Sequence, residues 1–432
     1  MTDHKHINIK VPVLARVEGE GALELSIEDN HIAGLKLNIY EPPRFFEKFL
    51  EGRSYHEVID IVARICGICP VAYQMSAVHA IESILGIKPG PWVRAMRRLM
   101  YCGEWIESHA LHIHLLAAPD YLGFDSALAM AEHYPQEVRR GLRLQGLGNQ
   151  IIRLLGGRSV HPVGVRVGGF YHAPSNTEVI RLKQELLAAR KDAQDLIRWT
   201  AGLDFPDDEQ DFTSVALQHP HEYPVNEGRI STSSGLDIDI TEYQQHFTET
   251  HVAYSTALHS SLHGAPYLVG PLARLNLNHK QIPANIVSLA EQAGVRFPSR
   301  NMFHSIVARA IEIAYALDEA HRLLDEYTPT AQPYVEAEPV AGTGYGCTEA
   351  PRGILWHRYE LDDQGHIAQA VIIPPTSQNQ ARIEQDLQYA LEKFGLDKDQ
   401  QALRLHGEKV IRNYDPCISC STHFLKLHVT RT

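Results

Sequence analysis

"RICGICPVAYQMSAVHA", residues 64–80, sets two thiols three positions apart, Cys66 and Cys69, with Gly67 between them and Pro70 directly after. A two-residue spacer lets both sulfurs face one ion, and in a reducing compartment a C-x-x-C unit more often means metal or redox chemistry than a disulfide. A second unit, Cys417 and Cys420 in "DPCISCSTH", lies near the other end of the chain. Zinc ribbons place their pairs about fifteen to twenty residues apart, whereas here most of the chain separates Cys69 from Cys417. A site using all four sulfurs would lie in the middle of the fold and join the two chain ends, and a structural zinc staple remains open at this point. Four thiolates on one divalent ion leave a net charge of about minus two, so burial requires a second metal or cationic neighbours. Cys102 and Cys347 stand alone and read as buried apolar filler.

The totals set the class. The chain has 432 residues, 44% hydrophobic and 21% charged, which reads as globular. A chain this long can bury about three quarters of its unfolded surface. No run of eighteen apolar residues suggests a membrane span. The N-terminus "MTDHKHINIK" shows neither an apolar signal core nor a twin-arginine pattern, which points to the cytoplasm. A net charge of -12 without a basic face argues against a nucleic-acid partner.

Alternation in "ALELSI" and "LKLNI" around "EDN" predicts an N-terminal β-hairpin, and "ILWHRYEL" with "HIAQAVII" around "DDQG" predicts another near the C-terminus. Between them helices dominate. Ser175 and Glu178 form a capping box ahead of an apolar stripe at Val179, Leu182, Leu186, Ala189, Ala193 and Leu196. Residues 91–116 and 304–327 carry similar stripes. The expected fold is mainly α with small β pieces (α+β): a long-helix bundle with a hairpin at each end and the metal site between the chain ends. No linker or internal repeat divides residues 1–432, which read as one domain.

"RICGIC" together with "DPCISCSTH" resembles the paired metal-binding motifs of nickel-iron hydrogenase large subunits. "ARVEGEG", "RFFEKFLEGR", "ESHALHIHLLAAPDYL", "LVGPLARLN", "EAPRGIL" and "IIPPTSQN" match the same family in order, over nearly the whole chain, and look most similar to its cytoplasmic NAD(P)-linked branch. The resemblance implies that Cys66, Cys69, Cys417 and Cys420 bind nickel, with Cys69 and Cys420 bridging to an iron that carries carbonyl and cyanide. Soft thiolates suit both metals. It further implies that Arg352 overhangs the metals and is held by Asp120 and Asp415. Glu18, rather than its neighbour Glu20, would take the proton onward, Thr376 beside Pro375 would hydrogen-bond a cyanide, and Glu47 and His423 would hold magnesium or a similar ion. Two features depart from the family: Tyr73 stands where many relatives have histidine, and residues 424–432 extend past His423, a candidate maturation tail.

What the resemblance implies for function is heterolytic cleavage of dihydrogen, with Cys417 as proton acceptor. An iron-sulfur centre needs about four thiolates, which the remaining cysteines cannot supply. Electrons would therefore pass to a small subunit with iron-sulfur clusters and on to diaphorase subunits with flavin and NAD(P). A maturation chaperone and an endopeptidase complete the expected partners. The alternatives are a non-catalytic structural subunit and a zinc-stapled scaffold.

Overall fold

The N-terminal alternation folds as an antiparallel meander in the computed structural model, which describes residues 6–422. Strand β1 (His6–Val11) pairs with β2 (Gly21–Glu28), and β2 with β3 (His31–Ile39). The expected hairpin thus gains a third strand. Leu23 stands between Val11 and Leu37 in register, and Leu23, Leu25 and Ile27 are buried on one face. Asp29 and Asn30 make the turn at φ 48° and 63°, a conformation these two residue types tolerate better than most.

Five long helices follow: α1 (Pro70–Leu85), α2 (Pro91–Leu111), α3 (Pro135–Gly156), α4 (Asn176–Ala201) and α5 (Ser305–Asp325). The first three begin with proline at the first helical position, where its missing N–H is harmless. The capping box of α4 forms as read: Ser175 Oγ accepts from Glu178 N at 3.3 Å, and Glu178 Oε2 accepts from Ser175 N at 2.9 Å. Helix α5 packs against both α2 and α4. Helices α2 and α3 cross backbone to backbone: a Cβ on Gly148 would lie 2.5 Å from both Glu107 N and Gly103 O.

The C-terminal part repeats the N-terminal plan. Strands β4 (Gly342–Ala350), β5 (Gly353–Leu361) and β6 (Ile367–Ile373) form a second antiparallel meander, with Gly365 at φ 80° in the "DDQG" turn. Helices α6 (Pro375–Phe394) and α7 (Gln400–Asn413) lead to the second cysteine pair. Helix α1 lies against β4 and β5, so the segment that follows Cys69 is packed on the C-terminal sheet. Between the two meanders the chain is less purely helical than its sequence suggests. Val165–Arg166 pairs with Gly169–Phe170, Phe247–His251 with Leu258–Leu262, and Val215–Gln218, Arg229–Thr232 and Asp237–Ile238 form a small sheet. Strands of two to five residues are too short to show a period. The larger of two hydrophobic clusters among the described residues runs from Ile7 to Cys420 and includes residues of both meanders, and the smaller joins Ile354, Trp356 and Ile373 of the second meander to the small sheet at Val215, Leu217 and Ile230. No helix among the described residues is long and apolar enough to cross a membrane.

The crossing predicts opposite effects from two glycines of α3. Gly148→Ala should destabilise the chain by about 1–3 kcal/mol through overpacking. Gly146→Ala, with nothing within 4 Å of the added carbon, should stabilise it by about 0.5–1 kcal/mol through helix propensity. Denaturant unfolding of the two variants checks the pair.

Candidate metal centre

The two cysteine pairs reach one another because the chain ends are joined. Ile418 N donates to Glu18 O at 3.0 Å, and residues 18 and 417 form a short parallel bridge. Gly19 permits the approach: it sits at φ 88°, and a Cβ there would lie 2.7 Å from Ile418 Cβ. Cys69 immediately precedes α1, and Cys417 opens the short 3₁₀ turn Ile418–Ser421. The sulfurs of Cys66 and Cys417 are 3.4 Å apart, those of Cys69 and Cys420 3.8 Å, and those of Cys417 and Cys420 2.9 Å. All four lie within 4.8 Å of one another and are buried. Cys66 Sγ also accepts the N–H groups of Ile68 at 3.3 Å and Cys69 at 3.2 Å. Burial pulls the Cys66 pKa up, but hydrogen bonds from the other three cysteines and the charge of Arg352 bring it well below the usual thiol value. Hydrogen bonds with Cys420, Cys66 and Cys69 hold Cys417 well above it.

Arg352 is buried beside the sulfurs. Its Nε donates to Asp415 O at 2.6 Å and its Nη2 to Asp415 Oδ1 at 3.0 Å, while Nη1 has no hydrogen-bond partner among the described residues. Burial opposes its charge, but Asp415, Cys417, Cys69 and Cys66 together keep its pKa well above the normal arginine value. Asp415 lies at φ 55°, a conformation that costs a non-glycine residue about 1–3 kcal/mol and is retained where the surroundings enforce it. Asp120 is elsewhere, which corrects the expectation that it grips Arg352. Its oxygens take Arg412 at 2.6 and 2.8 Å and a short contact from Arg16. Nearer guanidinium groups, on α7 and on the N-terminal segment, satisfy it.

Glu18 and Glu20 separate clearly. Glu18 Oε2 accepts from Cys417 Sγ at 3.1 Å and from Ser419 N at 3.1 Å, whereas Glu20 is exposed and its backbone N–H binds Glu41. Thr376 Oγ1 accepts from Cys417 N at 3.1 Å, and Pro375 occupies the first position of α6. Glu47 Oε1 accepts from Ile372 N at 2.8 Å. His423 and residues 424–432 lie outside the described residues. Tyr73, one turn into α1, places its ring 5.8 Å from that of His357. Burial and the charges of Cys420, Cys69 and Cys66 push its pKa well above 10, so it stays a neutral phenol.

Two residues near the centre escaped the sequence reading. Arg44, inside the "RFFEKF" stretch, donates from Nη2 to Ile65 O at 2.7 Å and to Ser419 O, while its backbone N–H binds Thr422 O at 2.7 Å. One guanidinium nitrogen thus ties both cysteine segments; the stretch drew attention to Glu47 instead. Glu107 on α2 is buried, and burial raises its pKa well above the carboxylate range, with Arg352 opposing and Cys66 and Asp415 reinforcing. A glutamate one turn before the histidines of "ESHALHIH" gave no periodic signal of its proximity to the sulfurs.

A buried set of four sulfurs with a charged arginine against it fits soft divalent metals. A second group of potential ligands, His219, Glu222 and Glu227, is different in kind: Arg94 bonds both carboxylates at 2.6 Å and Arg98 bonds Glu222 at 3.1 Å, so arginines already pair with both. Cys102 and Cys347 are buried elsewhere, as expected of filler; burial pushes the Cys102 thiol up to about 12.

Comparison with known proteins gives the chemistry a family. The family model described as nickel-dependent hydrogenase matches residues 44–141 and 211–423. The chain is 35% identical over 426 residues to sulfhydrogenase 1 subunit alpha of Pyrococcus furiosus, covering 98% of this chain and 99% of that one. It is 28% identical over 468 residues to the NAD-reducing hydrogenase HoxS subunit beta of Cupriavidus necator, covering 95% and 94%. A solved NAD+-reducing [NiFe]-hydrogenase in its H2-reduced state superposes with a TM-score of 0.86 at 26% identity, over 97% of this chain and 99% of that one.

Because Arg44 bonds the backbone of both cysteine segments, Arg44→Ala should weaken metal retention about 10- to 100-fold, the usual effect of losing an outer contact of a metal site. Elemental analysis after a chelator challenge reads the loss. Arg44→Lys, which keeps the charge without the fork, should fall between the two.

Proposed function

The chain belongs to the nickel-dependent hydrogenases, and from that premise we propose that it is the catalytic large subunit of a nickel-iron enzyme that splits dihydrogen reversibly and heterolytically. The observation that carries this reading is the convergence of four buried sulfurs from opposite chain ends beside Arg352 and Glu18. Cys66, Cys69, Cys417 and Cys420 would hold nickel, and Cys69 and Cys420 would also hold an iron carrying carbonyl and cyanide; bound there, the metals would supply the Lewis acidity that polarises dihydrogen.

The protein's own part is proton handling and preorganised charge. Cys417 accepts the proton and Glu18, 3.1 Å away and half-buried, carries it toward solvent. Arg352 stays charged, and Asp415 fixes its orientation beside the reacting atoms. Asp120 acts one layer out, by holding Arg412 and Arg16 and with them the segment that carries Glu18. Thr376, whose oxygen already accepts from Cys417 N, keeps its own hydrogen to donate to a cyanide. Glu47 and His423 are the ligands for magnesium or a similar ion.

Electrons leave through a partner subunit. The chain has six cysteines; with four at the centre and two isolated, none remain for an iron-sulfur cluster. Gly67 is exposed at the tip of the first cysteine loop. His161 binds Ala63 O at 2.6 Å and Arg44 binds Ile65 O, and Val160, Val163, Phe45 and Phe49, within a few positions of those two residues in sequence, are exposed. These exposed apolar side chains support docking of a small subunit whose cluster would sit near the sulfurs. The NAD-reducing relatives support diaphorase subunits with flavin and NAD(P) beyond it, and a cytoplasmic setting. Maturation would need a chaperone to deliver the metals and an endopeptidase to cut after His423.

Elemental analysis of the active protein should find one nickel and one iron per chain, against one zinc for a stapled scaffold. Infrared bands from carbonyl and cyanide should accompany them. Glu18→Gln should lower hydrogen uptake about 10²- to 10⁴-fold with metal content unchanged, and Glu20→Gln should leave it near normal. Cys417→Ser should abolish uptake. Arg352→Lys should lose activity with its metals retained; full activity in that variant would refute the role given to Arg352.

A further inference from the structure

The start of α1 has an unusual problem of hydrogen bonding. A helix leaves its first N–H groups without intrahelical acceptors, and the residue before it commonly supplies a side-chain oxygen. Here that residue is Cys69, which makes no capping bond, because its sulfur is turned toward Cys420 at 3.8 Å. The same side chain cannot both ligate and cap. The N–H groups of Ile68 and Cys69 go to Cys66 Sγ, and Pro70 has none. Those of Val71 and Ala72 remain, buried, where an unpaired donor is costly.

Both are taken by one carboxyl group from another helix. Glu104 Oε2 accepts from Val71 N at 2.6 Å and Glu104 Oε1 from Ala72 N at 3.1 Å. Glu104 is fully buried on α2, next to Gly103 at the close crossing with α3. We propose that Glu104 is a positioning residue: its two oxygens replace the cap that Cys69 cannot provide, and so hold the first cysteine loop in place before any metal arrives. The bidentate geometry needs two acceptor atoms. Glutamine supplies one, and its amide group would turn a donor toward a backbone donor.

The inference deepens the proposed function, and its readout needs no metal, so its failure would leave that reading standing. In the full-length metal-free chain, alkylation rates of each cysteine are followed by mass spectrometry. Glu104→Gln should make Cys66 and Cys69 react about tenfold faster, the equivalent of about 1.4 kcal/mol, roughly one hydrogen bond. Cys102 and Cys347 should be unchanged. Glu104→Asp, which keeps both oxygens on a shorter stem, should fall between and carries the test if the glutamine variant does not fold. Glu107→Gln removes a neighbouring carboxyl without touching these N–H groups and should behave as wild type. Unchanged rates in Glu104→Gln, a uniform rise across all cysteines, or an equal rise in Glu107→Gln would overturn the proposal.

Discussion

Four sulfurs within 4.8 Å of one another, all buried, are an electrostatic burden before they are a metal site. Thiolates at this separation repel, and without compensation they would stay protonated or move apart. The surrounding fold can be understood as the set of contacts that makes their assembly tolerable. Arg352 supplies a permanent charge, kept in place through both the backbone and the carboxylate of Asp415. Two backbone N–H groups of the first loop turn to Cys66. The carboxyl of Glu107, near the same sulfurs, is pushed toward its neutral form by burial, against the pull of Arg352.

Compensation alone would not bring residues 66 and 417 together. Closing so long a loop has an entropic cost that the sulfurs themselves do not repay without metal. The ends are joined instead by contacts outside the cluster: the bridge between Glu18 and Cys417, the guanidinium of Arg44 across both cysteine segments, and Asp120 between Arg16 and Arg412. Helix α1, packed on the C-terminal sheet, joins the two halves of the chain a second time. The two cysteine segments are thus held together by ordinary hydrogen bonds and packing outside the cluster.

Glu18 bonds the sulfur of Cys417 and is half-buried on the side of the N-terminal segment, the geometry on which the proposed proton route rests. The first cysteine loop exposes Gly67.

Local patterns were readable in the chain itself. The C-x-x-C spacings marked the four cysteines that converge, the turns at Asp29, Asn30 and Gly365 marked one hairpin of each meander though not its third strand, and Ser175 with Glu178 marked the start of α4, because each depends on residues within a few positions of one another. The short strands between Val165 and Leu262 were not readable, since two to five residues carry no period. Neither were the partners of single charged side chains. Asp120 took Arg412 rather than Arg352, Arg44 joined the cysteine segments, and Glu104 capped a helix 33 positions away. A carboxylate or guanidinium binds whichever opposite charge or backbone group the fold brings nearest, so its role is set by three-dimensional distance, which composition and spacing along the chain do not encode.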